Sequence, residues 1–363
     1  MFTKNPFEGA FGLDIGDLSL KLVQLSHAPM FSRDHRYTIA NMATVTLPPG
    51  YIVNGEIQQP ELVRHKLLQL LGKDGHGKKI HSPWVVADLP EPKTFLTSIE
   101  LDMPPEQITQ EDIRYQCQKH LPFDLEETYL DWQIVSPISS PDEKSPATRV
   151  LIGASQKTIA DSYTYLLESA GLQPIALELE SLAIARSLIN EENTTGAILD
   201  VGATRSSIII YDAGGVRFST TINFSGEIIN MTLIQQLKIT YDEAEDLKIK
   251  NGLNYTKEKG DYLKIINELV SGLIIEIKKT ITYYQDHYPQ TAPIECIELC
   301  GGMAQMQNLL PTLAHRLKIQ FKNGNTWKKI KTEKLTAEQK NQELTMASAT
   351  GLALRAIINP YND

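Results

Sequence analysis

Three cysteines in 363 residues leave no disulfide framework to hold a fold together. No apolar run approaches the roughly 20 residues that a membrane-spanning helix needs, and the longest strongly apolar stretch is about Leu269 to Ile277. The first residues, Met1 to Ala10, carry one lysine and no apolar centre, which is not the pattern of a secretory signal. Positive charge is in deficit, with 44 acidic residues against 35 Lys and Arg and a net charge of −9, the opposite of a nucleic-acid-binding surface. The eight histidines fall in no metal-ligand spacing such as His-Glu-x-x-His, and no Ser/His/Asp set can be assembled. Cys296 and Cys300 share one face of a strand and read as core packing. A disulfide framework and a transmembrane helix are thereby excluded, the charge argues against a nucleic-acid binder, and the expected compartment is the cytosol. What is present is 42% apolar content, ample for a core, and a length that suits about two to three domains.

The organising feature is an internal echo. Phe11 to Leu25 reads FGLDIGDLSLKLVQL, and Ala197 to Tyr211 reads AILDVGATRSSIIIY. Each is an apolar strand, an Asp-x-Gly turn and a second strand rich in β-formers, with Asp14 matching Asp200 and Gly16 matching Gly202. One such hairpin means little, but two of them half a chain apart point to a duplicated α/β domain. Helical spacing recurs at Pro60–Leu71, Thr158–Ala170 (stopped by Gly171), Leu177–Ile189, Tyr241–Lys250, Tyr262–Tyr284, Met306–Leu317 and Ala347–Ile358. Strands are expected at Pro83–Leu89 and Ile294–Cys300, giving a mixed α/β sheet in each half.

Residues 99 to 135 break this rhythm. Two proline pauses, Met103-Pro104-Pro105 and Leu121-Pro122-Phe123, bracket a helix over Gln107–His120. Strands Tyr129–Val135 and Arg149–Ala154 follow, joined by a Pro/Ser-rich loop over Ser136–Pro146. This is a small α+β subdomain inserted in the first half. The expected boundaries are residues 1–98 for the first half, 99–172 for the insert, 173–196 for the rest of the first half, 197–345 for the second half and 346–363 for a helix returning to the first. The insert is strongly acidic: between Ile99 and Asp131 only Arg114 and Lys119 oppose acids that include Asp124, Glu126, Glu127 and Asp131. Residues 315–340 are the reverse, with eight Lys or Arg against Glu333 and Glu338. A solvated face explains either run as well as a binding surface does.

An Asp-x-Gly turn suits nucleotide chemistry. Glycine admits a phosphate close to the backbone, the turn's N–H groups can face it, and the aspartate can hold a hydrated Mg²⁺. Lys21, seven residues after Asp14, is placed to pair with a phosphate. Gly301-Gly302, between a strand and a helix, is a third place for close approach. Each has a plainer alternative. Asp14 and Asp200 also serve as turn formers, Lys21 as a surface charge, and Glu276 with Lys279 as an i,i+3 surface pair. Glu178 and Glu180 are candidates for orienting a water, or solvated helix carboxylates.

Taken in order, these motifs resemble the actin-like ATPase superfamily over nearly the whole chain. GLDIG through Lys21 is similar to its first phosphate motif, LDVGAT (residues 199–204) to the second, and LCGGMA (299–304) to the adenosine motif. The helices at LELESLA (177–183) and ASATGLA (347–353) are similar to the two connectors between halves. Within the superfamily the chain resembles the PilM family of type IV pilus assembly, through GLDIGDLSLKLVQL, QKHLPFDLEETYLDWQIV, the run from Val150 to Arg186 and IIEIKKTITYY. The resemblance implies an actin-like fold of two RNase-H-like domains with the small α+β insert shared with the division protein FtsA. It implies ATP with Mg²⁺ between the halves, with Asp14 and Asp200 holding the metal through water. The residues it implies around the nucleotide are Asp14, Gly16, Asp17, Lys21, Asp200, Gly202, Ala203, Thr204, Gly226, Glu276, Lys279, Gly301, Gly302 and Met303. It also implies a partner: the N-terminal cytoplasmic peptide of PilN, a single-pass inner-membrane protein, in a groove on the insert. Ile113, Leu121, Phe123, Leu125 and Leu130 are the candidates for that groove, and Ile113 and Leu130 read at least as well as core of the insert. PilO and the cytoplasmic pilus motor are further implied partners.

Three departures from the family pattern weaken the cleft. Asp17 and Leu18 stand where Ser or Thr is usual, Met303 stands where a third glycine is usual, and Ser225-Gly226 replaces Gly-Gly. Nucleotide binding with little or no turnover is the expectation. The sequence ends five residues after its last expected helix, so membrane recruitment is expected to come through the partner rather than through an amphipathic tail. Two other functions remain open: an actin-like platform of a type II secretion or competence system, and a small-molecule kinase of the same superfamily, for which no catalytic carboxylate can be assigned.

Overall fold

The computed structural model describes residues 5–28, 37–75, 78–138, 147–189, 194–212, 215–254, 260–288 and 291–358. The expected loop over Ser136–Pro146 falls from residue 139 onward outside these, as do residues 359–363.

In chain order the first half runs β1 (Phe11–Ile15), β2 (Ser19–His27), β3 (Tyr37–Thr46), the short β4 (Ile52–Val53) and β5 (Glu56–Ile57), α1 (Pro60–Leu70) and β6 (Trp84–Leu89). The insert follows as β7 (Thr94–Leu101), α2 (Gln110–His120), β8 (Thr128–Ile138) and β9 (Ala147–Gln156). The chain returns through α3 (Lys157–Ser169), β10 (Gln173–Leu179) and α4 (Glu180–Leu188). The second half comprises β11 (Gly196–Val201), β12 (Ser206–Asp212), β13 (Gly215–Ile222), α5 (Gly226–Leu237), α6 (Tyr241–Asn251), α7 (Asp261–His287), β14 (Cys296–Cys300), α8 (Leu309–Leu317) and β15 (Gln320–Asn323). The last elements are β16 (Ile330–Lys331), α9 (Ala337–Asn341) and α10 (Ala347–Ile357).

The echo in the sequence is an echo in topology. The first sheet is ordered β10-β6-β1-β2-β3 and the second β15-β14-β11-β12-β13. In both, three antiparallel strands are followed by two parallel ones. At the far edge of each sheet, the third antiparallel strand pairs with a strand from elsewhere. β3 takes β16 in parallel, and β13 takes β7 of the insert through Phe218 and Thr97. Each half keeps its own core. Phe11, Leu13, Leu20 and Leu22 pack on Leu67 of α1 and Tyr163 of α3 in the first. In the second, Ile208, Ile210 and Leu199 pack on the apolar stripe of α7, whose buried residues Ile266, Val270, Leu273, Ile277 and Tyr284 recur at helical spacing.

The halves meet along α4 and α10. A Cβ on Gly351 would collide with the carbonyl of Ala183, so only glycine lets these two backbones cross. Three expectations are corrected here. Leu177–Ile189 is not one helix: residues to Leu179 form β10, parallel to β6 through Glu178↔Asp88 and Leu179↔Leu89, and the helix starts at Glu180. A short apolar run has no period to separate strand from helix, and the sheet claims it. The insert spans about residues 94–156 rather than 99–172, because Ile159, Tyr163 and Leu166 of α3 lie in the first half's core. The stretch 197–345 is not wholly second half, since β16 extends the first sheet.

The insert is tied to the second half by buried charge. Arg217 on β13 reaches Asp212 at 2.6 Å and Glu100 of β7 at 3.3 Å, and Arg149 of β9 reaches Asp212 at 3.2 Å. The hydroxyl of Tyr284 donates to Asp212 at 2.9 Å, so the two guanidiniums share a fixed carboxylate.

Candidate functional site

Both Asp-x-Gly turns close the same way. The Gly16 N–H donates to the Ser19 carbonyl at 3.0 Å and the Gly202 N–H to the Arg205 carbonyl at 2.9 Å. Asp14 lies opposite Lys21 in the β1–β2 register, as Asp200 lies opposite Ser207 in β11–β12. The turns face one another across a cavity of about 230 Å³ lined by Asp14, Gly16, Asp17, Lys21, Glu180, Asp200, Gly202, Ala203, Thr204, Arg205, Gly301 and Gly302, with Ser348 of α10. A second cavity, about 330 Å³, shares Leu18, Ala203 and Gly302 with the first and continues past Gly226, Asn230, Tyr241, Glu245, Lys248 and Met303. Twelve of the fourteen expected nucleotide residues line one cavity or the other.

Glu276 and Lys279 do not. They form an ion pair of 2.7 Å on an outer face of α7, which is the plainer alternative. The same Glu-x-x-Lys spacing recurs on α6, where Glu245 pairs with Lys248 at 2.6 Å inside the second cavity. Spacing alone does not distinguish the two. The signal that does is position: the α6 pair follows the Ser225-Gly226 turn and a Thr240–Glu243 capping box.

The first cavity is acidic and crowded. Carboxylate oxygens of Asp14, Asp88 and Glu180 lie within 4.8 Å of one another. Lys21 answers Asp14 at 2.7 Å, and this pairing holds its ammonium pKa up although burial pulls it down. Burial, with the charges of Asp14 and Glu180, pushes the Asp88 carboxyl well up. Burial pushes Asp200 up to about 7, with Glu180 adding to it. Asp88 is a carboxylate of this cluster that sequence reasoning missed. It ends a parallel strand, where ligands of open α/β sheets collect, and it is fixed by the Ile15 N–H at 2.9 Å. The expected pair, Asp14 and Asp200, lines this one cavity; the close carboxylate cluster joins Asp14 to Asp88 and Glu180, while Asp200 accepts from the Cys300 thiol at 3.4 Å.

Asp17 is held by protein: its oxygens accept from the Asn54 and Gly55 N–H groups at 3.0 and 3.1 Å and from Arg205 at 2.9 Å. The first N–H groups of α5 are likewise occupied, Gly226 donating to Gly202 and Glu227 to Ala203.

The residues present fit a metal–nucleotide. Crowded carboxylates with raised pKa values are relieved by a divalent cation. Asn230, a residue of the second cavity that is 1% exposed, has an acceptor, Oδ1, with no hydrogen-bond partner among the described residues. A Cβ on Gly226 would fill that cavity toward Met303 Sδ at 3.2 Å and Lys248 Nζ at 3.3 Å.

The family model for the type IV pilus assembly protein PilM matches residues 12–357. The chain belongs to the PilM family. Its fold is actin-like. The protein in the solved PilM–PilN type IV pilus biogenesis complex superposes with a TM-score of 0.80 at 22% identity, over 97% of this chain and 99% of that one. MreB 5 of Spiroplasma citri bound to AMPPNP superposes at 0.52 and 13%, over 97% of each chain. Among curated proteins, the cell division protein FtsA of Neisseria meningitidis serogroup B is 29% identical over 184 residues, 45% of this chain and 44% of that protein, so the match spans less than half the length of that relative.

On the insert of this PilM-family chain the expected groove residues separate. Ile113 is fully buried and Leu125 nearly so, both in the insert's core, and Leu121 and Leu130 pack against it. Phe123 lines a cavity of about 510 Å³ with Pro122, Asp124, Glu126, Glu127 and Lys157. The apolar spacing of α2 and its flanks builds the subdomain and leaves Phe123 half-buried, with Tyr115 and Tyr129 exposed nearby. Asp131 and Trp132, from the family-specific Tyr-x-Asp-Trp stretch, line another cavity, about 520 Å³, between the insert, α4 and β13.

Proposed function

We propose that this PilM-family chain is an assembly scaffold with two ligands: a Mg²⁺–ATP-type nucleotide between its halves, and the N-terminal cytoplasmic peptide of a PilN-like single-pass inner-membrane protein on its insert. The observation that carries the nucleotide is the pair of joined cavities between the echoed turns, acidic at one end and lined by the Glu245–Lys248 pair at the other. Asp14, Asp88 and Glu180 would hold the cation, and Lys21, Gly16 and Gly202 would face the phosphates. Bound Mg²⁺ supplies charge neutralisation for the phosphates. Lys21 contributes a fixed positive charge, and Ser348, which donates to Asp88 at 3.3 Å, orients that carboxylate. Turnover is proposed to be low, because Asp17 puts a carboxylate where a donor would serve a phosphate.

The partner reading is supported by charge and by shape. Asp124, Glu126 and Glu127 surround Phe123 at an open cavity. A cytoplasmic segment next to a membrane span is basic by the positive-inside rule, and opposite charge speeds its encounter. Among the described residues no helix is long and apolar enough to cross a membrane. We take the chain to act at the cytoplasmic face through this partner, with PilO and the pilus motor as further contacts.

The test is calorimetry of Mg–ATP and of a PilN-type N-terminal peptide, each alone and together. Binding of both is expected. The double variant Glu126→Lys with Glu127→Lys should weaken the peptide roughly tenfold at low salt and less at high salt. A peptide indifferent to both changes removes the insert from the reading. Phosphate transfer to a small acceptor would replace the scaffold with a kinase.

A further inference from the structure

Arg205 belongs to the second half, yet its side chain ends on the first. Nη1 lies 2.9 Å from Asp17 Oδ1, and Nη2 lies 3.5 Å from Glu180 Oε2. Asp17 sits in a recognisable cradle. Asn54 and Gly55 both take positive φ, 50° and 79°, so that their consecutive N–H groups point at one carboxylate. Two converging backbone N–H groups and a guanidinium are a donor set that binds phosphate as readily as carboxylate. The cradle is already filled, by a side chain of the protein itself.

Arg205 lines the first cavity and not the second. Under the nucleotide reading above, with the base in the second cavity, the phosphates would pass Leu18, Ala203 and Gly302, which both cavities share, and the last one would come nearest Arg205. We propose that Arg205 is the residue that tells a nucleoside triphosphate from a diphosphate, and that the Asp17 carboxylate holds it in the empty cleft as a stand-in for the terminal phosphate. When a triphosphate enters, Arg205 exchanges one anion for another of higher charge. Asp17 keeps its two backbone donors, so its loss of Arg205 leaves no buried carboxylate bare. A diphosphate offers no terminal group and leaves the Asp17–Arg205 bridge intact. The bridge joins residues 188 apart in sequence, one from each half, so its exchange also changes what holds the halves together.

This inference rests on the nucleotide reading above, and the experiment separates the two. Mg–ATP and Mg–ADP are titrated by calorimetry into the full chain and into Arg205→Gln, Arg205→Lys and Asp17→Ser, with circular dichroism confirming the fold. Arg205→Gln should weaken ATP about tenfold and ADP less than about twofold, and Arg205→Lys should fall between, as a point charge replaces a bidentate fork. Asp17→Ser should tighten ATP about tenfold with ADP unchanged, because a competing anion is gone. If Arg205→Gln does not fold, the sign of the Asp17→Ser change decides. ATP and ADP shifted equally, or neither shifted, overturns the inference and leaves the nucleotide reading standing. No binding of either nucleotide to any of the four proteins overturns both.

Discussion

The first turn, Asp14 to Ser19, and the second, Asp200 to Arg205, share a hairpin closure to within about 0.1 Å but carry different side chains on it. Superposed by their aspartates, Asp17 meets Ala203, Ser19 meets Arg205 and Lys21 meets Ser207. The first turn pairs its aspartate with its own lysine. The second leaves Asp200 with a thiol and sends its cation across to the first. Duplication therefore preserved the backbone, whose hydrogen bonds allow no substitute, and freed the side chains to specialise as a complementary pair. The turns differ in spacing as well. A Cβ on Gly202 would meet the Arg205 carbonyl at 2.5 Å, whereas one on Gly16 would meet the Ser19 carbonyl at 3.2 Å.

That last difference predicts the largest effect. Gly202→Ala forces the second hairpin open and should cost about 2–4 kcal/mol in urea unfolding, while Gly16→Ala, which needs a shift of a few tenths of an ångström, should cost about 1 kcal/mol. Equal costs would mean that the turns are mechanically equivalent. The aspartates give the next test. Asp14→Asn leaves Lys21 without its carboxylate in a cleft and should lose about 2 kcal/mol. Asp200→Asn removes a crowded acid and should leave stability at pH 8 unchanged or raised by up to about 1 kcal/mol. Differential scanning calorimetry of the two variants side by side distinguishes paired from unpaired turn chemistry.

Much of this frame was legible in the sequence, and the reason is local. An Asp-x-Gly between two β-rich runs specifies its hairpin from within about fifteen residues, so both turns, their aspartates and Lys21 could be read directly. Gly301-Gly302 is legible in the same way, as is the helix over Ala347–Ile358, although its close crossing with α4 at Gly351 is not. What escaped reading depends on partners far away in the chain. Asp88 is an unremarkable residue at the end of WVVADL until β1 sets Asp14 beside it. Arg205 escapes reading because its meaning lies in Asp17, expected at the nucleotide itself and departing there from the usual Ser or Thr. The Glu-x-x-Lys pairs at 245–248 and 276–279 are indistinguishable by spacing, and only the path of the chain puts one in the cleft. Leu125 is expected in a groove and is core, and Ile113 takes the core alternative of its two readings, because apolar periodicity reports burial without saying whether the cover is this chain or another. The buried Arg217–Asp212–Arg149 cluster had no sequence signal, since its members come from three strands.

The smallest effect expected concerns pH, and it follows from the same contrast. Burial carries Asp200 to about 7, and also Glu91, whose Oε2 has no partner among the described residues. In the unfolded chain both titrate near 4. Between about pH 4 and pH 7 the folded protein therefore holds more protons than the unfolded one, and stability must fall as pH rises. The advantage is complete below the unfolded values and is lost as pH passes through the folded ones. A decline of about 1 kcal/mol for each group is expected, read as a melting temperature that drops from pH 5 to pH 8. Asp200→Asn and Glu91→Gln should each flatten the slope, and Mg²⁺ should flatten it for the wild type at the high-pH end by neutralising the cleft. A melting temperature that rises over this range would show that the second turn's aspartate has a counter-charge as the first one does, and the contrast between the turns would be withdrawn.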